Sequence, residues 1–428
     1  MDGYYAFMLV ATALVLMMTV PALALFYGGM TRSKSVLNMM MMSFIAFGIA
    51  SIVMVLWGWS EGWGGDGVGN GNGKLIANPF SMWGLDGVSW GNYIFVVFQL
   101  TFAAITVALI SGAIADRVKL IAWVVFIPVW LTACYFPIAH NVWGGGWLAD
   151  KLSSGSTIPQ DYAGGTVVHI NAGIAGLVLV LVIGKRIGFG HEPMRPHNLT
   201  LTMIGAGLLW FGWYGFNVGS IVFVAGDGAA KDTEQFMTET GVTFLNTTLA
   251  TAAAMLAWLL VERFLHGKAT SLGAASGVVA GLVAITPACG AVTLTGAIIV
   301  GLVAGALCAL AVGLKYRFGY DDSLDVVGVH LVGGLVGTLL IGFLSSADAP
   351  GGIDGLFYGG GLASLGDQFL AALFTIVWTG VLTTVIAFAI KFTLGWRIAE
   401  EAEVEGIDSD QHSESAYDIA VSAGARSF

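Results

Sequence analysis

Val168-His169-Ile170-Asn171-Ala172-Gly173 and Val329-His330-Leu331-Val332-Gly333-Gly334 are two versions of one segment. In each, glycine follows the histidine at four and at seven positions, as Gly173 and Gly176 and as Gly334 and Gly337. Each lies in an apolar stretch of about 20 residues, the length a helix needs to cross a hydrocarbon core about 30 Å thick. The first lies in the fifth apolar stretch and the second in the tenth, so the two segments enter the membrane from opposite sides. That predicts an inverted repeat with its path at the repeat interface near the midplane, where the two histidines meet. The glycines predict smooth helix faces on which each segment approaches its counterpart.

Eleven stretches carry this pattern: 5–27, 38–60, 92–115, 120–140, 164–183, 199–224, 242–261, 272–288, 294–314, 326–344 and 369–392. The expected fold is all-α and polytopic, with eleven transmembrane helices in an inverted 5+5 repeat plus one. Repeat one covers about 5–183, repeat two about 199–344 and helix eleven about 369–392. Together they form a transmembrane domain over 1–396, followed by a cytoplasmic tail over 397–428.

Cytoplasmic loops retain basic residues, which sets the orientation. One set of alternating connections holds Arg32, Lys34, Arg117, Lys119, Lys185, Arg186, Arg195, Arg263, Lys268, Lys315, Arg317, Lys391, Arg397 and, in the tail, Arg426. The other holds Lys74, Lys151 and Lys231. This split predicts an outside N-terminus and an inside C-terminus.

Composition agrees. Of 428 residues, 57% are hydrophobic and 10% charged, against roughly 25% charged in soluble domains; an ordinary soluble fold is excluded. The formal charge of -10 is concentrated in the tail, where Glu400, Glu401, Glu403, Glu405, Asp408, Asp410, Glu414 and Asp418 lie. That polar, acidic tail reads as short helices or disorder. Cys134, Cys289 and Cys308 match neither a disulfide framework nor a zinc site and read as core residues. Asp2 stands where a signal peptide would be basic, so the first apolar run reads as a retained helix. The glycine-rich run ending Gly73-Lys74 fails the phosphate-loop spacing and reads as surface.

Ionisable groups inside a bilayer are costly and tend to line paths or pair, so duplicated histidines point to function. His140, His191, His197, His266 and His412 fall at loops, helix ends or the tail and read as solvated. Trp213, Phe216 and Ser220 are spaced for one face of the sixth helix, and Phe98 and Phe102 for one face of the third. Trp143 and Asp161 lie near the outer surface. Asp161 stands eight residues before His169, about 12 Å along a helix, as an acid at the mouth and equally as a cap of the fifth helix.

As a group these segments resemble the ammonium transporter (Amt/Mep/Rh) family, on its prokaryotic Amt side. The resemblance spans nearly the whole chain: Ala24 to Gly29, Phe98 to Ala103, Asp161 to Gly173, Gly212 to Asn217, Gly281 to Gly290 and Asp325 to His330. It implies a homotrimer with one path per subunit, multi-pass in the cell (inner) membrane, without a cofactor and not an enzyme. Position by position, Trp143 and Ser220, with the outer edge of Phe102, match an outer ammonium site. Phe102 and Phe216 match a stacked phenyl gate, His169 and His330 a twin-histidine pair, and Asp161 the acid required for transport. Phe98, Trp213 and Thr286 match positions around the same vestibule and path. The tail resembles a regulatory C-terminus, with Ser413 where the family usually has Gly, and implies a PII-type protein as partner on the cytoplasmic face.

The chemistry fits ammonium against potassium. An aromatic cage of Trp143 and Phe102 attracts a cation, worth about 0.5 to 2 kcal/mol, and the Ser220 hydroxyl accepts a hydrogen bond that potassium cannot donate. A phenyl-gated apolar path then penalises an intact charge, which ammonium sheds as a proton. Imidazoles with an unperturbed pKa near 6.5 suit that proton, and a hydrogen-bonded pair titrates as a unit. Net charge transfer and passive ammonia conduction both remain open at this stage. An ammonium sensor and a membrane haem oxidoreductase are the readings from other classes.

Overall fold

The structure is a computed structural model that describes residues 2–64, 74–151, 159–223 and 229–417. Val224, the glycine-rich run, Asp418 and Arg426 lie outside them. All eleven expected stretches are helical: α1 Gly3–Met30, α2 Val36–Trp63, α3 Trp90–Ile114, α4 Leu120–Ala149, α5 Gly165–Ile183, α6 Leu199–Val218, α7 Asp232–His266, α8 Ser271–Ile285, α9 Leu294–Phe318, α10 Val327–Leu344 and α11 Ala363–Thr393. Among the described residues, ten of these are long and apolar enough to cross a membrane, and α8 is the shorter one.

Two of the boundaries that differ from expectation, at the ends of α8 and α6, have a clear physical cause. α8 has 15 residues, about 22 Å at 1.5 Å each, and stops short of 288. Pro287 cannot supply an N–H, and the chain tightens instead, with Ala288 N donating to the Ile285 carbonyl and Ala291 N to that of Ala288. The freed carbonyls of Cys289 and Val292 both accept from the Asn246 amide of α7 at 2.9 Å, so protein rather than lipid satisfies them. α6 ends at Val218, where Ser220 N turns back to the Asn217 carbonyl. Ser220 therefore sits in the turn beyond the helix, not on it. α7 begins at Asp232, ten residues before the expected start at 242.

α5 and α10 run antiparallel. Arg186, just after α5, donates to Asp321, just before α10, so the end of one lies at the start of the other. Their contact is glycine-made: a Cβ on Gly173 would fall 2.5 Å from the Leu331 nitrogen, and one on Gly334 would meet the Gly165 carbonyl and His169 Cβ, each at 3.1 Å. The second glycine of each pair does not serve that contact alone. Gly176 faces Ala113 of α3 as well as Val326, and Gly337 faces the Ala284 carbonyl of α8. Both histidines ride wide π-helical turns, Gly165–Ile170 and Val327–Leu331.

At the end where α10 begins, the loop charges interlock. Arg186 pairs with Asp116 at 3.0 Å and with Asp321 at 2.8 Å, and Arg32 with Asp116 at 3.3 Å. The tail docks here as α12 Glu400–Glu405 and α13 Ile407–His412, the short-helix alternative of the two expected. Asp408 caps α2 by accepting from Leu37 N and Asn38 N at 3.0 and 2.8 Å. Gln411 accepts from Leu120 N at the start of α4, and Glu403 from Ile187 N. Ser413 follows α13 in a left-handed conformation, φ 56°, which glycine adopts without cost and serine does not. His140 also departs from the solvated reading: it is buried, with its ring nitrogens against the carbonyls of Gly62 and Lys74.

Candidate functional site

Five of the expected site residues, Trp143, Phe102, Phe216, His169 and His330, form a continuous file. At one end Trp143 meets Phe102 edge to face, centroids 6.0 Å apart at 82°. Phe102 stacks on Phe216 at 4.0 Å and 14°, an offset-stack geometry that closes the space between α3 and α6. Phe98 braces Phe102 from one turn earlier, at 4.9 Å. The Ser220 hydroxyl donates to the Phe216 carbonyl at 2.8 Å. Its one hydrogen is thereby committed, and its oxygen presents lone pairs only.

Below Phe216 lies His169, 6.3 Å between centroids, and below it His330, their Nδ1 atoms 3.3 Å apart. Both rings are buried. His169 Nε2 meets no protein hydrogen-bonding group. Trp213 lies nearly parallel to His169 at 5.5 Å and 19°. Thr286 fixes that indole: its hydroxyl accepts from Trp213 Nε1 at 2.8 Å and donates to the Leu282 carbonyl at 2.7 Å. The facing Nδ1 atoms are too close to admit an iron and a porphyrin plane between them, which disfavours the haem reading.

Asp161 is a cap before it is anything else. Its carboxylate accepts from the main-chain N–H groups of Gly164, Gly165, Thr166 and Val167 and from the Thr166 hydroxyl. Gly164 makes this turn possible, with φ +118°, a conformation that costs other residues dearly. Burial lifts the Asp161 carboxyl above the ordinary aspartate range, while its hydrogen-bond donors pull it back. Its main-chain carbonyl accepts from Trp143 Nε1 at 2.8 Å, so the same loop holds the aromatic cage and the start of α5.

Sequence reasoning missed the counterpart at the opposite end, Asp322. It stands eight residues before His330, as Asp161 stands eight before His169, and that shared offset was the available signal. Its carboxylate caps α10 through Val326 N at 3.0 Å and Val327 N at 2.7 Å. Burial, then the charge of Asp325, pushes Asp322 up to about 6. An acid raised in the folded state from its ordinary 3.8 favours the neutral form there. Its stabilisation is present at low pH and is lost as pH rises through about 6. Thermal unfolding of the wild type should therefore weaken relative to Asp322→Asn between pH 4 and 7; a constant difference across that range would count against the assignment.

Comparison with known proteins follows the same helices. The model of the Ammonium Transporter Family matches residues 6–417. An ammonium transporter of Mycobacterium tuberculosis is 52% identical, covering 99% of this chain and 92% of that protein. One of Aquifex aeolicus is 45% identical over 97% of this chain and 94% of its own length. The crystal structure of Saccharomyces cerevisiae Mep2 superposes with a TM-score of 0.81 at 33% identity, covering 93% of this chain and 88% of that one. The matches run through every helix that contributes to the file from Trp143 to His330, and the chain belongs to the ammonium transporter family.

Proposed function

We propose that this multi-pass membrane protein recruits ammonium at its outer face, strips one proton and conducts ammonia along the twin histidines, returning the proton inside. The observation that carries the reading is the unbroken file from Trp143 through Phe102 and Phe216 to His169 and His330. Trp143 and Phe102 offer π faces to a cation. Ser220, its hydrogen spent on Phe216, accepts from ammonium and gives potassium only a weak dipole. The stacked rings of Phe102 and Phe216 leave no polar group to replace a cation's hydration, so an ion that cannot lose its charge stops there.

The 3.3 Å Nδ1 contact supports the proton step. Two facing ring nitrogens share one proton. If His169 Nδ1 carries it, His169 Nε2 is bare and His330 Nε2 carries a hydrogen. A proton added at His169 Nε2 shifts the shared proton to His330 Nδ1 and releases the one on His330 Nε2. Each transfer breaks one N–H bond and forms another, and leaves the pair in its opposite tautomer. Reorienting or re-protonating the pair resets it.

The remaining assignments belong to this reading. α8, although short, completes eleven crossings in an inverted repeat, with the N-terminus outside. Support comes from the basic loop residues and the docked tail, which share one end, while Asp161 and Trp143 share the other. A homotrimer in the cell (inner) membrane, with a PII-type protein meeting the docked tail at the cytoplasmic face, completes it.

Purified protein in proteoliposomes on a solid-supported electrode tests the mechanism. Ammonium and methylammonium jumps should each evoke an inward current, and a potassium jump none. A silent electrode with rapid internal alkalinisation would instead establish passive ammonia conduction.

A further inference from the structure

Gln368, near the start of α11, is 1% exposed and has no part in the steps above. Its side-chain oxygen accepts from the main-chain N–H of Gln160 at 2.8 Å, and its nitrogen donates to the main-chain carbonyl of the same residue at 2.8 Å. That nitrogen also reaches the Thr338 carbonyl of α10, at 3.2 Å. Both amide hydrogens and one oxygen lone pair are thus engaged. Gln160 directly precedes Asp161. Gly165, the first residue of α5, lies so close to Thr338 that a Cβ would fall 2.7 Å from its hydroxyl. One buried amide therefore ties the lead-in of α5 to α10 from the helix that stands outside the repeat.

The inner mouth solves the same problem with charge. Asp321 stands nine residues before His330, as Gln160 stands nine before His169. Its main-chain carbonyl accepts from the Arg117 guanidinium at 2.7 Å, and its carboxylate is gripped by Arg186. A guanidinium at the outer position would make comparable bonds but would set a positive charge beside Asp161, where a cation must arrive. A carboxamide makes them without one.

We propose that Gln368 is the positioning residue of the outer mouth: it fixes the Asp161 lead-in, and through it the Trp143 cage and the start of α5, without adding charge to the cation's approach. The inference rests on the ammonium-conduction reading. It acts through Asp161 and Trp143, not by touching substrate.

The test uses the full-length protein in proteoliposomes, with radiolabelled methylammonium uptake as the readout. Gln368→Leu removes all three bonds and should raise the KM at least fivefold in protein that elutes and inserts like the wild type. Gln368→Glu supplies a readout that a merely structural brace would not move. Protonated, its acid can donate to the Gln160 carbonyl; ionised, it opposes that carbonyl with a second acceptor. Its KM relative to the wild type should therefore climb between pH 5 and 7.5. An unchanged KM for Gln368→Leu, or a flat or falling ratio for Gln368→Glu, overturns the proposal. Failure of both variants to insert would also overturn it, by assigning Gln368 to the fold alone. A wild type that takes up no methylammonium would sink the transport reading itself, whereas wild-type uptake with unaltered variants would sink only the role of Gln368.

Discussion

The double variant His169→Ala with His330→Ala is expected to lose at least about a hundredfold in the ratio of ammonium to potassium current, the scale on which a positioned proton-transfer group contributes. The loss arises on either side of the ratio. Two alanines leave a cavity between Trp213 and the α10 wall, where the parallel indole now packs on His169 at 5.5 Å. If that space stays dry, the proton taken from ammonium has no acceptor chain through the buried stretch, and ammonium current falls. If water fills it, a cation finds a hydrated route and potassium current rises. On the proposed mechanism, both follow from removing two groups that share one proton across a 3.3 Å contact. The measurement is the pair of currents in matched proteoliposomes, with protein inserted at equal density. A wild-type ratio in the double variant would remove the twin histidines from the mechanism. The single variants sharpen the result: each breaks the Nδ1 contact, so each should approach the double variant rather than contribute half of it.

The histidine pairing was legible because the repeat is written in identities as well as hydropathy. His169 with Gly173 and His330 with Gly334 share spacing, and that spacing together with the opposite entry of the fifth and tenth helices predicts α5 against α10. The aromatic file was legible in part. Phe98, Phe102, Trp213 and Phe216 have helical spacing, but nothing in the spacing says that Phe102 of α3 and Phe216 of α6 stack on one another; that contact depends on how two distant helices dock. Helix ends were least legible. Ser220 continues the apolar period of α6, yet its N–H turns to an i−3 carbonyl. α8 keeps an apolar composition to Ala288 although Pro287 ends its regular hydrogen bonding. The wide turns that carry both histidines have no period of their own. The tail's short helices were among the readings its composition allowed, but their docking was not legible, because Asp408 and Glu403 are consumed as caps for other segments' N–H groups, a use that net charge does not reveal. Asp322 was overlooked although its offset from His330 repeats that of Asp161 from His169.

Asp161→Asn should cost at least tenfold in methylammonium uptake and about 2 to 4 kcal/mol of stability, the scale of one or two buried donors left facing a donor. The arithmetic of donors explains why so small a change is damaging. Five hydrogens converge on the Asp161 carboxylate, split between Oδ1 and Oδ2. Asparagine has one accepting oxygen, so whichever way its amide lies, its NH2 faces N–H or O–H groups. The turn through Gly164 must then open, and with it the main-chain carbonyl that holds the Trp143 indole. The Trp143–Phe102 contact and the start of the His169 turn would be disturbed together, which is how a residue above the stacked phenyls would reduce flux on the proposed mechanism. Asp161→Glu separates position from charge. It keeps the carboxylate but adds a methylene where Gly164 and Gly165 leave no slack, with donor distances already at 2.8 and 2.5 Å. If geometry governs, glutamate fails as asparagine does. Uptake restored by glutamate, with asparagine still inactive, would show that the negative charge at the mouth is what the path requires and that the cap is secondary.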